Sequence, residues 1–153
     1  MIEIRAGGLG DAHVEALIRH HREESQATTP SCNAHSLDST GLADPSVSFF
    51  SAWEGDTLLG IGALKQLSDD HAELKSMRTA PAHLRRGVAR AMLAHLIAVA
   101  RSRGYRHLSL ETGTAAMFAP ANAMYEAAGF SDCDAFAGYP ASAHNRFMTL
   151  ALE

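Results

Sequence analysis

Cysteine is scarce. The 153 residues contain two, Cys32 and Cys133. That excludes a disulfide framework and points to a reducing compartment, the cytoplasm. An excess of basic charge is missing as well. Thirteen Lys and Arg stand against seventeen Asp and Glu, for a formal net charge of −4, so a general nucleic-acid binder is not expected. No long apolar run exists. The longest, 91–100, is broken by His95 and falls short of the about 20 residues that cross a bilayer. The N-terminal Met1-Ile2-Glu3-Ile4-Arg5 has no apolar core of a signal peptide. The nine histidines include no spacing that fits a zinc site, either among themselves or with the cysteines. No repeat or linker is visible, which leaves one soluble domain over 1–153, with no metal and no membrane partner.

What is present is ordered punctuation. Ile2–Arg5 alternates as a strand. Asp11 is a candidate N-cap for a helix to about Glu24, with Val14, Leu17, Ile18 and His21 on one side. Residues 25–45 are polar, with a short helical piece expected over 37–42. Val47–Trp53 and Thr57–Gln66 flank Glu54-Gly55-Asp56 as a hairpin. Gly60 and Gly62 inside the second strand mark a twist or a close approach. A strand Ala72–Thr79 is followed by His83-Leu84-Arg85-Arg86-Gly87-Val88-Ala89-Arg90 and a helix to Arg103, stopped by Gly104. Arg106–Thr112 is a strand, Pro120 opens a helix to Ala128, and strands are expected over 130–137 and 145–152.

The turn at 83–90 organises the rest. A helix's first turn has amide groups without internal partners and a partial positive charge. Arg85 and Arg86 sit just before it, and Gly87 removes a side chain where a ligand must come close. Together these form a phosphate seat.

Strand, Arg-Arg-Gly turn, long helix, the strand Leu108-Ser109-Leu110-Glu111-Thr112, and a helix ending Tyr125-Glu126-Ala127-Ala128-Gly129-Phe130 resemble the acetyl-CoA-binding core of the GNAT N-acetyltransferase superfamily. The likeness spans about residues 45–153 and is to its small, single-domain bacterial branch. It implies an α/β fold: a mixed, mostly antiparallel sheet of six to seven strands with helices on both faces. Its two central parallel strands would splay around the cofactor. It also implies acetyl-CoA as donor co-substrate, a primary amine as acceptor, direct attack in a ternary complex, and a homodimer by analogy. By position, Met77, Arg78 and Thr79 would pair with the pantetheine arm, and Arg85, Arg86, Gly87, Val88, Ala89 and Arg90 would hold the pyrophosphate. Leu84 departs from the family's Gln or Arg at the first position of that loop. Asn122 is expected to stand in for an Asn found seven residues before the tyrosine in many relatives, where this chain has Phe118.

Tyr125 is the expected general acid for the leaving thiolate. Glu73, fourteen residues before Gly87, matches the base of the histone-acetylating branch; deprotonation through ordered water is the alternative. Strict alternation would put Glu73, Lys75, Met77 and Thr79 on one face, with Lys75 holding the Glu73 carboxylate ionised or simply pairing with it. Lys75 and Arg78 could anchor an acceptor carboxylate and Glu111 an ammonium, with Tyr139 and His144 at the pocket lip. The polar 26–45 segment would form the acceptor wall. Two other functions fit the same motifs: a non-catalytic acyl-CoA-binding regulatory module, and an N-acetyltransferase acting on proteins or peptides.

Overall fold

A computed structural model of the chain describes residues 1–28 and 37–152. In order come β1 (Glu3–Ala6), α1 (Ala12–Thr28), α2 (Ser39–Leu42), β2 (Val47–Glu54), β3 (Thr57–Gln66), β4 (His71–Thr79), α3 (Val88–Ser102), β5 (His107–Gly113), α4 (Ala119–Ala127), β6 (Ser131–Asp132) and β7 (Asn145–Ala151). The strands form one seven-stranded sheet in the order β1-β2-β3-β4-β5-β7-β6. Every adjacent pair is antiparallel except β4 and β5.

Local chemistry sets the element ends. Asp11 Oδ1 accepts from the amides of His13 and Val14 at 2.9 and 3.2 Å, capping α1. Asp38 does the same for the single turn of α2, accepting from Gly41 N–H at 2.8 Å. Val14, Leu17 and Ile18 of α1 are buried at helical spacing and pack with Leu42, Phe49, Trp53 and Ile61 on one face of the sheet. The other face carries α3 and α4, where Val88, Met92, Leu96 and Tyr125 pack on Leu59, Leu64, Ala72 and Leu110. Gly62 allows this closeness. A Cβ there would lie 2.7 Å from Met92 Cγ, so α3 rests directly on the backbone of β3.

The strand expected over 130–137 is much shorter. β6 pairs with β7 over two residues only. Cys133 N–H still reaches the Phe147 carbonyl at 3.0 Å, but Ala137 and Gly138 then take left-handed conformations and turn the chain away. The expected acceptor wall over 26–45 lies partly outside the described residues. Among those residues no helix is long and apolar enough to cross a membrane.

Candidate active site

β4 and β5 pair only through His71–His107, Ala72–Leu108 and Glu73–Ser109. Beyond Glu73 they diverge, so among the described residues β4 from Leu74 to Thr79 has no strand partner on that side. The wedge between them opens into a cleft of about 830 Å³, reached by α1, the turn before α3, and α4.

At one end stands the turn. Gly87 has φ +82° and occupies the N-cap of α3 with no side chain capping it. A side chain at that dihedral is strained, which gives the glycine a backbone reason beyond ligand clearance. The first main-chain bond into the helix runs from Ala91 N–H to the Gly87 carbonyl. Among the described residues none of the amides from Arg85 to Arg90 donates to a protein group. Arg85, Gly87, Val88, Ala89 and Arg90 line the cleft. Arg86 does not. Its guanidinium reaches Glu54 Oε1 at 3.0 Å and His83 Nδ1 at 2.8 Å, so it braces the turn against the β2–β3 hairpin. Leu84, 60% exposed, lies on the cleft rim.

The expected common face of Glu73, Lys75, Met77 and Thr79 does not form. Ser76 has φ +55°, and the β3–β4 register slips between Ile61 and Ala63, leaving Ser76 and Met77 without their own partners. This is a β-bulge, and its extra residue reverses the alternation. Leu74 and Met77 therefore both pack toward α3, whereas Lys75 and Arg78 both face the α1 side, their register partners Ala63 and Ile61 belonging to the α1 core. Ser76 also lines the cleft, and its buried Oγ has no hydrogen-bond partner among the described residues.

Glu73 and Lys75 form a buried pair at 3.4 Å, 1% and 6% exposed. Tyr139 locks it. Its hydroxyl donates to Glu73 Oε2 at 3.0 Å and accepts from Lys75 Nζ at 2.8 Å. Tyr139 stacks on Phe147 and stands behind the cleft wall rather than at its lip. Burial pushes the Glu73 carboxyl above its usual range, and the Lys75 charge and Tyr139 hydrogen bond only partly offset that. The pair expected between Lys75 and Glu73 is present, and Lys75 acts to favour the ionised carboxylate, but desolvation is the larger effect on Glu73. Glu111 and His144 line the cleft, and Asn145 Nδ2 donates to Glu111 Oε2 at 2.7 Å.

Tyr125 projects from α4 into the cleft, 9% exposed. Burial raises its phenol to about 12, against a smaller opposing effect of the Arg78 charge. The hydroxyl therefore keeps its proton at neutral pH. Asn122 is engaged elsewhere. Its Oδ1 accepts from Thr112 Oγ1 at 2.9 Å and its Nδ2 donates to the Gly113 carbonyl at 3.1 Å, tying α4 to the end of β5 outside the cleft lining.

His21 was expected only as part of the inner side of α1. It lines the cleft, and its Nδ1 accepts from Arg78 Nε at 3.0 Å. Burial, then Arg78, lowers its pKa to about 3. A folded pKa below the unfolded 6.5 means that the unfolded chain binds more protons between those values. The stability His21 contributes is complete above 6.5 and is lost as pH falls towards 3. Denaturant titrations at about pH 7 and about pH 4 are expected to show a smaller acid-induced loss in His21→Leu than in the wild type; equal losses would remove His21 as a contributor. Phe118, noted in the sequence only as a departure from the family's Asn, lines the cleft, and Ser25, Met117, Met124 and Asn145 also line it without having been singled out from the sequence. None stands in a motif, and the fold alone brings them together.

The Acetyltransferase (GNAT) family model matches residues 14–130. An uncharacterized N-acetyltransferase of Escherichia coli (strain K12), YedL, is 47% identical over 152 residues, 99% of this chain and 96% of YedL. YsnE, an uncharacterized N-acetyltransferase of Bacillus subtilis (strain 168), is 44% identical over 151 residues, 99% of this chain and 100% of YsnE. Among solved structures, a candidate acyl-CoA N-acyltransferase from Klebsiella pneumoniae superposes with a TM-score of 0.83 at 28% identity, covering 100% of this chain and 99% of its own. The diverging parallel pair, the uncapped turn and these likenesses agree: the chain belongs to the GNAT family of acetyltransferases.

Proposed function

We propose that this chain transfers the acetyl group of acetyl-CoA to the primary amine of a small molecule, by direct attack within a ternary complex. One observation carries the reading. The turn whose amides lack protein partners among the described residues, with Arg85 and Gly87 to Arg90 on the cleft wall, opens into the same cleft as the protonated phenol of Tyr125 and the buried carboxyl of Glu73. The amides and the α3 dipole suit the diphosphate of coenzyme A, with Arg85 and Arg90 adding charge. The unpaired edge of β4 from Met77 to Thr79 offers main-chain groups to the pantetheine amides. Relatives named as N-acetyltransferases support the same donor and an amine as acceptor.

The reaction needs the amine to lose a proton, the C–N bond to form, the C–S bond to break and the thiolate to gain a proton. Tyr125 supplies the last proton. Glu73 takes the first; its raised pKa brings it nearer to neutrality than an ordinary carboxylate, as a general base requires. The cleft volume of about 830 Å³ holds the thioester arm with room for a small acceptor.

Coenzyme A titrated in a calorimeter is expected to bind at micromolar concentrations, and Gly87→Val to weaken it at least about ten-fold through the left-handed backbone and the blocked amides. No binding heat by the wild type, and no rise in its melting temperature with acetyl-CoA, would refute the reading. A thiol-release screen over amines and peptides then tests turnover. Silence on every acceptor with intact coenzyme A binding would instead mean a binding module.

A further inference from the structure

We propose that the corner of the cleft where α1 meets β4 is a carboxylate seat, formed by Arg78 and His21, and that the acceptor is an α-amino acid or a close amino-carboxylate. This rests on the acetyl-transfer reading above and adds the class of acceptor.

The β4 bulge turns Arg78 away from α3 and toward α1, where Ile61, its register partner, packs. The side chain is half-buried. Among the described residues its one hydrogen bond is from Nε to His21 Nδ1, and no carboxylate forms an ion pair with it. The contrast with Lys75 is direct, since that cation is closed off by Glu73 and Tyr139. A half-buried guanidinium without a carboxylate in direct contact is an unfavourable arrangement by itself; burial lowers the pKa of Arg78, and the more distant Glu24 carboxylate offsets this only in part. It remains a cation and is completed by an anion from outside.

His21 fixes the geometry. A guanidinium can only donate, so Nδ1 must be the bare, accepting nitrogen of a neutral ring, and the proton resides on Nε2. With Nε held by His21, the two terminal nitrogens of Arg78 are left to donate. Their planar pair matches a planar, two-oxygen anion, and His21 acts by holding the guanidinium in place. The charged groups acting on His21 and Arg78 are Lys75 and Glu24, with His20 beside them. Glu24 already offsets part of the Arg78 charge, which favours a singly charged anion over a dianion such as phosphate.

Arg78 also lies near enough to Tyr125 for each charge to act on the other. An acceptor held by its carboxylate on Arg78 therefore stands beside the group assigned to the leaving thiolate. A short link between carboxylate and amine, as in an α-amino acid, keeps the nucleophile in that neighbourhood.

The test is a thiol-release assay with the proteinogenic amino acids, each set against its carboxamide and its decarboxylated amine. At least one acid is expected to show kcat/KM about ten-fold or more above its two analogues. Arg78→Gln and His21→Leu are expected to raise KM for that acid about ten- to hundred-fold and to close the gap between acid and amide. Calorimetry with coenzyme A runs alongside. If analogues serve as well as acids, or if no acid is used while coenzyme A binds, the seat is overturned and the acetyl-transfer reading survives. If coenzyme A itself fails to bind, both fall. The comparison of acid with amide uses the wild-type protein, so a variant that fails to fold does not decide the matter; a folded Arg78→Gln that keeps the acid–amide ratio does, against the seat.

Discussion

Tyr125→Phe is expected to slow thiol release by about a hundred-fold or more while coenzyme A affinity stays close to wild type. The substitution removes one oxygen from a side chain that is 9% exposed and packed edge-to-face on Phe130 at 5.9 Å between ring centroids. Phenylalanine keeps that packing, so the fold is spared. What is lost is the only part of the residue that can hand over a proton. Burial holds the phenol at about 12, so it is fully protonated wherever the enzyme works, and a thiolate leaving without it must find a proton from water. Steady-state thiol release, with melting temperature and coenzyme A calorimetry as controls, reads the effect. Turnover at the wild-type rate would remove Tyr125 from the chemistry.

Lys75→Met is expected to destabilise the folded chain by about 3–5 kcal/mol, the range found when one member of a buried ion pair is removed. Glu73 would remain 1% exposed with its cation gone, and a single phenol hydrogen bond from Tyr139 cannot replace an ammonium. The pH dependence follows in sign. Glu73 already has a folded pKa above its unfolded value of 4.5, with burial the main cause and Lys75 opposing it. A group raised in this way favours the folded state most below the unfolded pKa, and that contribution is lost as pH rises through the folded pKa. The deficit of Lys75→Met should therefore be larger at about pH 8 than near 4.5. Adding Glu73→Gln should restore much of the loss, because the pair is then neutral on both sides. Denaturant unfolding of the two single variants and the double variant closes the cycle. A Lys75→Met protein as stable as the wild type would show that the pair contributes nothing.

The sequence carried the main elements well because their signals are local. Asp11 caps α1 as expected, the spacing of Val88, Met92 and Leu96 gives α3 its inner side, and the Glu54-Gly55-Asp56 turn between two strand-like runs gives the hairpin. The phosphate turn was legible for the same reason, since Gly87 and the missing cap are written within a few residues. What was not legible depends on distant partners. Nothing in Glu73-Leu74-Lys75-Ser76-Met77-Arg78-Thr79 marks Ser76 as a bulge, because serine has no preference for φ +55°; the strand opposite, with Gly62, admits it. Arg86 was expected on the ligand, yet Glu54, 32 residues away, takes it. Asn122 was expected on the cofactor and is held by Thr112 and Gly113. His21 gave no sign of its role, since its partner Arg78 is 57 residues further along the chain.

Ser76 has one more consequence, for the lengths this strand can tolerate. Side chains on a strand are sorted by odd and even position, and the added residue inverts the parity of everything after it. Excising Ser76 would keep Glu73 and Lys75 where they are but send the guanidinium of Arg78 among the apolar side chains of α3, and Met77 toward α1. A point substitution in β4 alters one contact; the loss of a single codon here would exchange the linings of the two sides of the sheet.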